Sequence, residues 1–322
     1  MRANGTRYGQ RASTAARCAV ARWLGSLVLV VLAMLAPLSS ASAEPRSPAP
    51  KRIVSLNLCT DQLLVDLVGR ERIAAVSRLA ADASLSAVTD RLAGIQTVAG
   101  SAEEVLALQP DLVLTGEYST PHVVSLLQKL GVRVEVIPLA SDIAGIRSAI
   151  GKVAASVGEE ARGRAVIADF DARIEASTSP GPLRPTALAY QFNSLTAGPG
   201  GLIDAMMAAA GFRNMAGEHR LGPAGRLPLE SFVARPPDLV VLANSPSAFR
   251  TVSADNLRHP AMRELMRRRP TAEIAMPLWL CGTPAVARGI ERLAQERRAI
   301  AATTAARTPM PPRNGGATVL EP

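Results

Sequence analysis

Aromatic residues make up only 3% of this 322-residue chain, which holds three histidines and three cysteines. Each scarcity removes a class of chemistry. His122, His219 and His259 are scattered, without the H-x-x-x-H or C-x-x-C spacings that hold a metal ion. There is no G-x-S-x-G nucleophile elbow and no P-loop to cradle a nucleotide. So few cysteines do not build a disulfide scaffold. The apolar run from Trp23 to Ala36 has 14 residues, short of the roughly 20 that span a bilayer.

What is present at the N-terminus is an export signal. Five arginines and no acid occupy residues 1–22, the apolar run follows, and Ala41-Ser42-Ala43 offers a small-residue cleavage site before Glu44. This segment has no adjacent arginine pair for the twin-arginine route, and no cysteine at the cleavage site to take a lipid. The expectation is a soluble periplasmic protein cleaved after Ala43. Its 31 basic and 27 acidic residues leave a net charge near +4, so the high whole-chain isoelectric point partly reflects the signal. Nucleic-acid binding loses its main support. Residues 44–50 read as a linker and 306–322 as a flexible Pro-rich tail.

Between them, β-rich runs alternate with helical stripes. "RIVSLN", "RIAAVS", "DLVLTG" and "VRVEVIPL" interleave with helices to make an N-terminal α/β lobe over 51–140. From 141 to 178 the pattern changes to two successive helices. The second, Glu159–Ser177, is long enough to bridge two lobes at about 1.5 Å per residue. After "SPGPLRP" the alternation resumes as a C-terminal α/β lobe over 179–305, with "TALAYQF", "DLVVLAN", "AEIAMPL" and a closing helix from Pro284 to Ala302.

One phrase occurs twice. "EEVLALQPDLVL" begins at Glu103 and "ESFVARPPDLVV" at Glu230, each a short helix, a Pro-Asp pair and a branched apolar strand. Ser101 and Glu104 fit a capping box, so Glu104 has a local role. Glu103 and Glu230 have none, which leaves one exposed carboxylate in the same place on each lobe.

In order and spacing these segments, with "GRLPLESFVARPPDLVVLAN" and "AMPLWLCGTPAV", resemble the substrate-binding proteins of ABC importers for iron–siderophore, haem and cobalamin. The resemblance covers about residues 51–300. It implies two Rossmann-like βα lobes bridged by a single long α-helix, with a ligand cleft between them. It also implies a monomer that captures a metal chelate and delivers it to a transmembrane permease dimer, with no catalysis and no cofactor. A ferric siderophore is the first expectation, and cobalamin or haem the alternatives. In that family a glutamate on each lobe meets permease arginines, and by position these are Glu103 and Glu230.

Ligands gather beyond the carboxyl ends of parallel strands. That rule selects Asn57, Cys59, Arg78, Tyr118, Tyr190, Phe192, Asn193, Trp279 and Cys281, and Arg220 is a further candidate for an anionic ligand. Cys59 and Cys281 follow strands in different lobes. A disulfide tying the lobes, thiol contact with a soft metal in the ligand, and two reduced pocket residues all stay open. The rival class is a chelatase-type cleft enzyme, for which no catalytic motif stands in the chain. The "GPGG" turn at 198–201 could hold an anion at a helix end, although a plain glycine turn accounts for it.

Overall fold

The computed structural model describes residues 48–178, 184–242 and 255–307. The expected export signal over 1–43, residues 44–47 of the linker, the "SPGPL" break at 179–183 and the tail from 308 lie outside the described residues.

Short branched apolar runs form the strands. The central ones are buried at nearly every position, as in parallel sheets covered on both faces. Ile53–Ser55 (β1), Ile73–Ser77 (β2), Gln96–Val98 (β3), Leu112–Gly116 (β4) and Val134–Ile137 (β5) form an all-parallel sheet in the order β3-β2-β1-β4-β5. Helices Leu58–Leu67 (α1), Ala102–Ala107 (α2) and Pro121–Lys129 (α3) make its crossovers. Strand β3 is absent from the sequence reading because it is a three-residue edge strand with Gln96 and Thr97 exposed.

Two helices then leave the first lobe, Ile143–Val157 (α4) and Glu160–Ser177 (α5). Gly158, at φ +76°, turns the chain between them. Arg72 holds this corner: its Nη1 meets Glu159 Oε1 at 2.6 Å, its Nε donates to the Pro50 carbonyl, and its Nη2 donates to the Val157 carbonyl. Helix α5 packs against α1 of the first lobe and against the last helix of the second, so it bridges the two.

The second lobe contains Thr186–Tyr190 (β6), Leu195–Thr196 (β7), Leu202–Ala209 (α6), Arg213–Asn214 (β8), Gly225–Arg226 (β9) and Leu229–Ala234 (α7). Leu239–Leu242 (β10), Asp255–Arg258 (α8), Pro260–Arg268 (α9), Thr271–Glu273 (β11) and Val286–Arg307 (α10) complete it. Its sheet runs β11-β10-β6-β7-β9, with β8 beside β6. Strands β6, β8, β10 and β11 are parallel, and β7 and β9 join antiparallel. Strand β11 stops at Glu273, shorter than "AEIAMPL" suggests, because the chain turns through a 3-10 helix at Met276–Leu278 around Pro277.

The twice-written Pro-Asp phrase has the same job in each lobe. The Asp111 carboxylate, just before β4, accepts from the backbone N–H of Lys51 and Arg52 ahead of β1. Asp238, just before β10, accepts from the N–H and hydroxyl of Thr186 at the start of β6. Each aspartate pins the first residues of a central strand to its neighbour, setting the register of the pair.

One apolar core is common to both lobes. Ile53, Leu64 and Leu112 of the first, Ile150, Val153 and Phe170 of the helical pair, and Ala189, Val241 and Ile290 of the second form one contiguous cluster. The outer face of each sheet has its own core, around Val113 and Leu127 in one lobe and around Tyr190 and Phe232 in the other. Within the shared core, α4 and α5 approach closely because a Cβ on Gly163 would stand 2.4 Å from the Ala154 Cβ.

Asp61, on α1, is fully buried and accepts hydrogen bonds from the Ser77 hydroxyl and N–H at the end of β2. Burial outweighs these bonds and pushes its carboxyl up from 3.8 to about 7.

Two outcomes follow for stability. Gly163→Leu should cost about 1–3 kcal/mol by overpacking, whereas Gly151→Ala, in the same helical pair with open space around it, should gain up to about 1 kcal/mol; urea unfolding midpoints report both. The folded protein keeps a proton on Asp61 that the unfolded chain releases. Its contribution is therefore complete below pH 3.8 and is lost as pH rises to about 7. The wild-type minus Asp61→Asn stability difference, followed by thermal unfolding, should fall across that window and be flat above it.

Candidate functional site

The loops that follow the parallel strands converge where the two lobes face each other. After β1, Asn57 caps α1, its Oδ1 accepting from the Cys59 N–H at 2.9 Å. The helix therefore starts at Leu58, and Cys59 sits in its first turn. The Asn57 amide also packs where a Cβ on Gly116 would be, 2.7 Å away, so β4 must end in glycine.

Cys59 and Cys281 form a disulfide with their Cα atoms 5.2 Å apart. Of the three readings open to these thiols, pairing is the one realised. It joins α1 of the first lobe to the loop after β11 in the second.

Asn57, Cys59 and Tyr118 share a crevice of about 50 Å³ with Leu139 and Gly282. It is too small for a chelate, whose sites normally run to hundreds of Å³, so it can take only an edge or substituent of a ligand lying above it. Tyr118 is 80% exposed and offers both a flat apolar face and a hydroxyl. Arg78 is exposed near the same rim, 3.6 Å from Glu104. On the second lobe Phe192 is half-buried and Asn193 exposed, at φ +57°, with its carbonyl accepting from Arg226 Nη1. Arg220 is exposed at φ +53°.

Two selected residues pack on the second lobe's core, one fully and one in part. Tyr190 is fully buried: it alternates with Leu188 on one face of β6, stacks on Phe232 with ring centres 4.6 Å apart, and donates its hydroxyl to Ser194. Trp279 is half-buried against the second lobe's core, beside Ile203, Met206 and Leu293. Both rings serve packing, since the carboxyl end of a strand still has a core face as well as a cleft face. In the glycine turn at 198–201 the Gly200 N–H donates to the Asp204 carboxylate, four residues on, an internal bond that accounts for one of the turn's donors.

Leu79, Leu139 and Leu280, none of them selected by the strand-end rule, are 51%, 52% and 36% exposed in loops that follow β2, β5 and β11. The signal for them was a leucine just beyond a strand, where no core periodicity accounts for it. Glu103 and Glu230 are exposed in the first turns of α2 and α7 and carry no hydrogen bond or ion pair among the described residues. Glu104 is engaged, its Oε2 accepting from the N–H groups of Ala99, Gly100 and Ser101.

A concavity of about 570 Å³ lies beside α5 rather than at the strand ends. Some of its charges meet one another: Arg91 lies 2.6 Å from Asp66, and Arg162 donates to the Asp66 carbonyl. It is a charged seam between helices. No group of three His, Cys, Asp or Glu side chains able to hold a metal ion occurs among the described residues.

Residues 53–272 match the family model described as periplasmic binding protein. A curated relative from Halobacterium salinarum, named cobalamin-binding protein, is 27% identical over 226 residues and covers 69% of this chain, while the chain spans 59% of that relative's length. Solved structures with this fold include the periplasmic haem-binding protein of Roseiflexus in apo form, with a TM-score of 0.63 and 23% identity over 78% of this chain and 99% of that one. The periplasmic vitamin B12 binding protein of Vibrio cholerae matches with a TM-score of 0.59 and 14% identity over 79% of this chain and 98% of that one. Two α/β lobes joined by one long helix are thus an architecture shared with these solved structures. The chain belongs to the periplasmic binding protein family.

Proposed function

We propose that this protein is the exported solute-binding component of an ABC importer, capturing a metal chelate between its lobes and handing it to a transmembrane permease dimer. The observation that carries this reading is the cleft rim. Tyr118, Leu79, Leu139 and Leu280 are large apolar or amphipathic side chains exposed at facing strand ends, where a large organic ligand could cover them.

The ligand class is a metal-centred macrocycle, a corrinoid before haem, ahead of a ferric siderophore. The relative named cobalamin-binding supports the first choice, and the flat face of Tyr118 suits a planar ring edge. Glu103 and Glu230 form the docking pair, because one unengaged carboxylate on each lobe can meet two permease arginines and fix orientation. The protein works in the periplasm as a monomer after cleavage behind Ala43. Arg78, Phe192, Asn193 and Arg220 complete the rim.

Titration with cyanocobalamin, haemin and a ferric siderophore, read by absorption and native mass spectrometry, should give one-to-one binding of cyanocobalamin without turnover. Tyr118→Ala should weaken that binding by about tenfold; failure of all three probes to bind would sink the ligand reading. The double variant Glu103→Ala, Glu230→Ala should bind within about twofold of wild type yet lower cellular uptake by roughly tenfold or more. Undiminished uptake would remove the docking assignment.

A further inference from the structure

Three consecutive residues of the second lobe press on the first. Cys281 is bonded to Cys59 of α1, across 222 positions of sequence. Gly282 lies so close to Ala140 that a Cβ there would be 2.5 Å from the Ala140 Cβ and 2.8 Å from its carbonyl oxygen. The Thr283 hydroxyl donates to Gln62 Oε1 at 3.3 Å, again on α1. A covalent bond, a backbone-to-side-chain approach and a hydrogen bond thus stand side by side where the lobes meet at the cleft. Among the described residues the two sheets have no strand pairing between them. Their remaining tie is the helical pair and the shared core behind it.

We propose that the Cys59–Cys281 bridge is a redox latch on the cleft: oxidised, it holds the two lobes at one aperture, and reduced by a dithiol it releases the 280–283 loop and lets the lobes part. What the latch regulates rests on the ligand-binding reading above, whereas the latch itself rests on geometry alone.

The chemistry has an approach path. Cys281 is 1% exposed, whereas Cys59 is partly exposed and lines the crevice beside Tyr118. A dithiol's thiolate attacks Cys59 Sγ, forming a mixed disulfide and expelling Cys281 as a thiolate that takes up a proton. The dithiol's second thiol then closes on its own sulfur, freeing Cys59 as a thiol. Two electrons and two protons pass to the protein, and the dithiol leaves as a cyclic disulfide. Once the sulfurs part, the described ties of Gly282 and Thr283 to the first lobe are a van der Waals contact and a single hydrogen bond, and both are of the kind that opens locally.

Amide hydrogen exchange and small-angle X-ray scattering on the oxidised protein, the dithiothreitol-treated protein and the Cys59→Ser and Cys281→Ser variants provide the test. Gly282→Ala is included as a variant that strains the contact while keeping the sulfurs. Reduction and both serine variants should speed exchange over 280–285 and 138–142 by about tenfold or more and enlarge the radius of gyration. Gly282→Ala should speed exchange in the same segments by a smaller factor without enlarging the protein. If Cys281→Ser fails to fold, the reduced wild type supplies the comparison. Equal exchange and scattering in oxidised and reduced protein would overturn the latch, as would two alkylatable thiols in unreduced protein. Cyanocobalamin and haemin affinities measured on the same samples should shift by about tenfold between the two forms. Absence of binding in either form overturns the ligand reading and leaves the latch to the exchange and scattering results.

Discussion

Gly282 against Ala140 is the contact on which the cleft depends. Two sheets that point their carboxyl ends at each other expose unpaired loop backbone on both sides, and something must set their separation. Here the separation is set by the absence of a side chain. A Cβ at position 282 would crowd Ala140 and strain the loop that carries both the Cys281–Cys59 bridge and the Thr283–Gln62 hydrogen bond. In the chain-entropy account, closing a loop of 222 residues withdraws about 5 kcal/mol from the unfolded ensemble. The bridge therefore contributes to stability and to cleft geometry through the same atoms.

Behind this contact the lobes are not independent domains with a flexible joint. Helices α4 and α5 lie in a core that continues from Ile53 in one sheet to Val241 in the other. The small residues Ala154 and Gly163 let the two helices pack tightly, and Arg72 fastens their turn to the first lobe. A joint built this way favours small displacements over wide hinge opening, since any large rotation would expose buried apolar surface. The same construction places Asp61 and its raised pKa two residues from the disulfide, where a buried carboxyl links α1 to the end of β2.

Among the described residues, the exposed large apolar groups of the strand-end loops are one tyrosine and a few leucines. Recognition of that kind relies on shape and apolar cover more than on directional bonds. It suits a ligand that brings its own metal and its own hydrogen-bonding periphery.

The sequence by itself determined the alternation of strands and helices, the two-lobed plan with its long connecting helix, the capping role of Glu104 and the exposure of Glu103 and Glu230. These follow from periodicity, capping and position, which act over a few residues. It could not separate Tyr190, which fills the core, from Tyr118, which faces solvent, because a residue at a strand's end can point to either face and only packed neighbours decide. Nor could it choose among three fates for Cys59 and Cys281, whose meeting depends on how two lobes are set across a helix. The Pro-Asp repeat was legible as a repeat, but its reason was not. Asp111 and Asp238 each reach a partner at least 52 residues away in sequence, a distance that only tertiary structure closes.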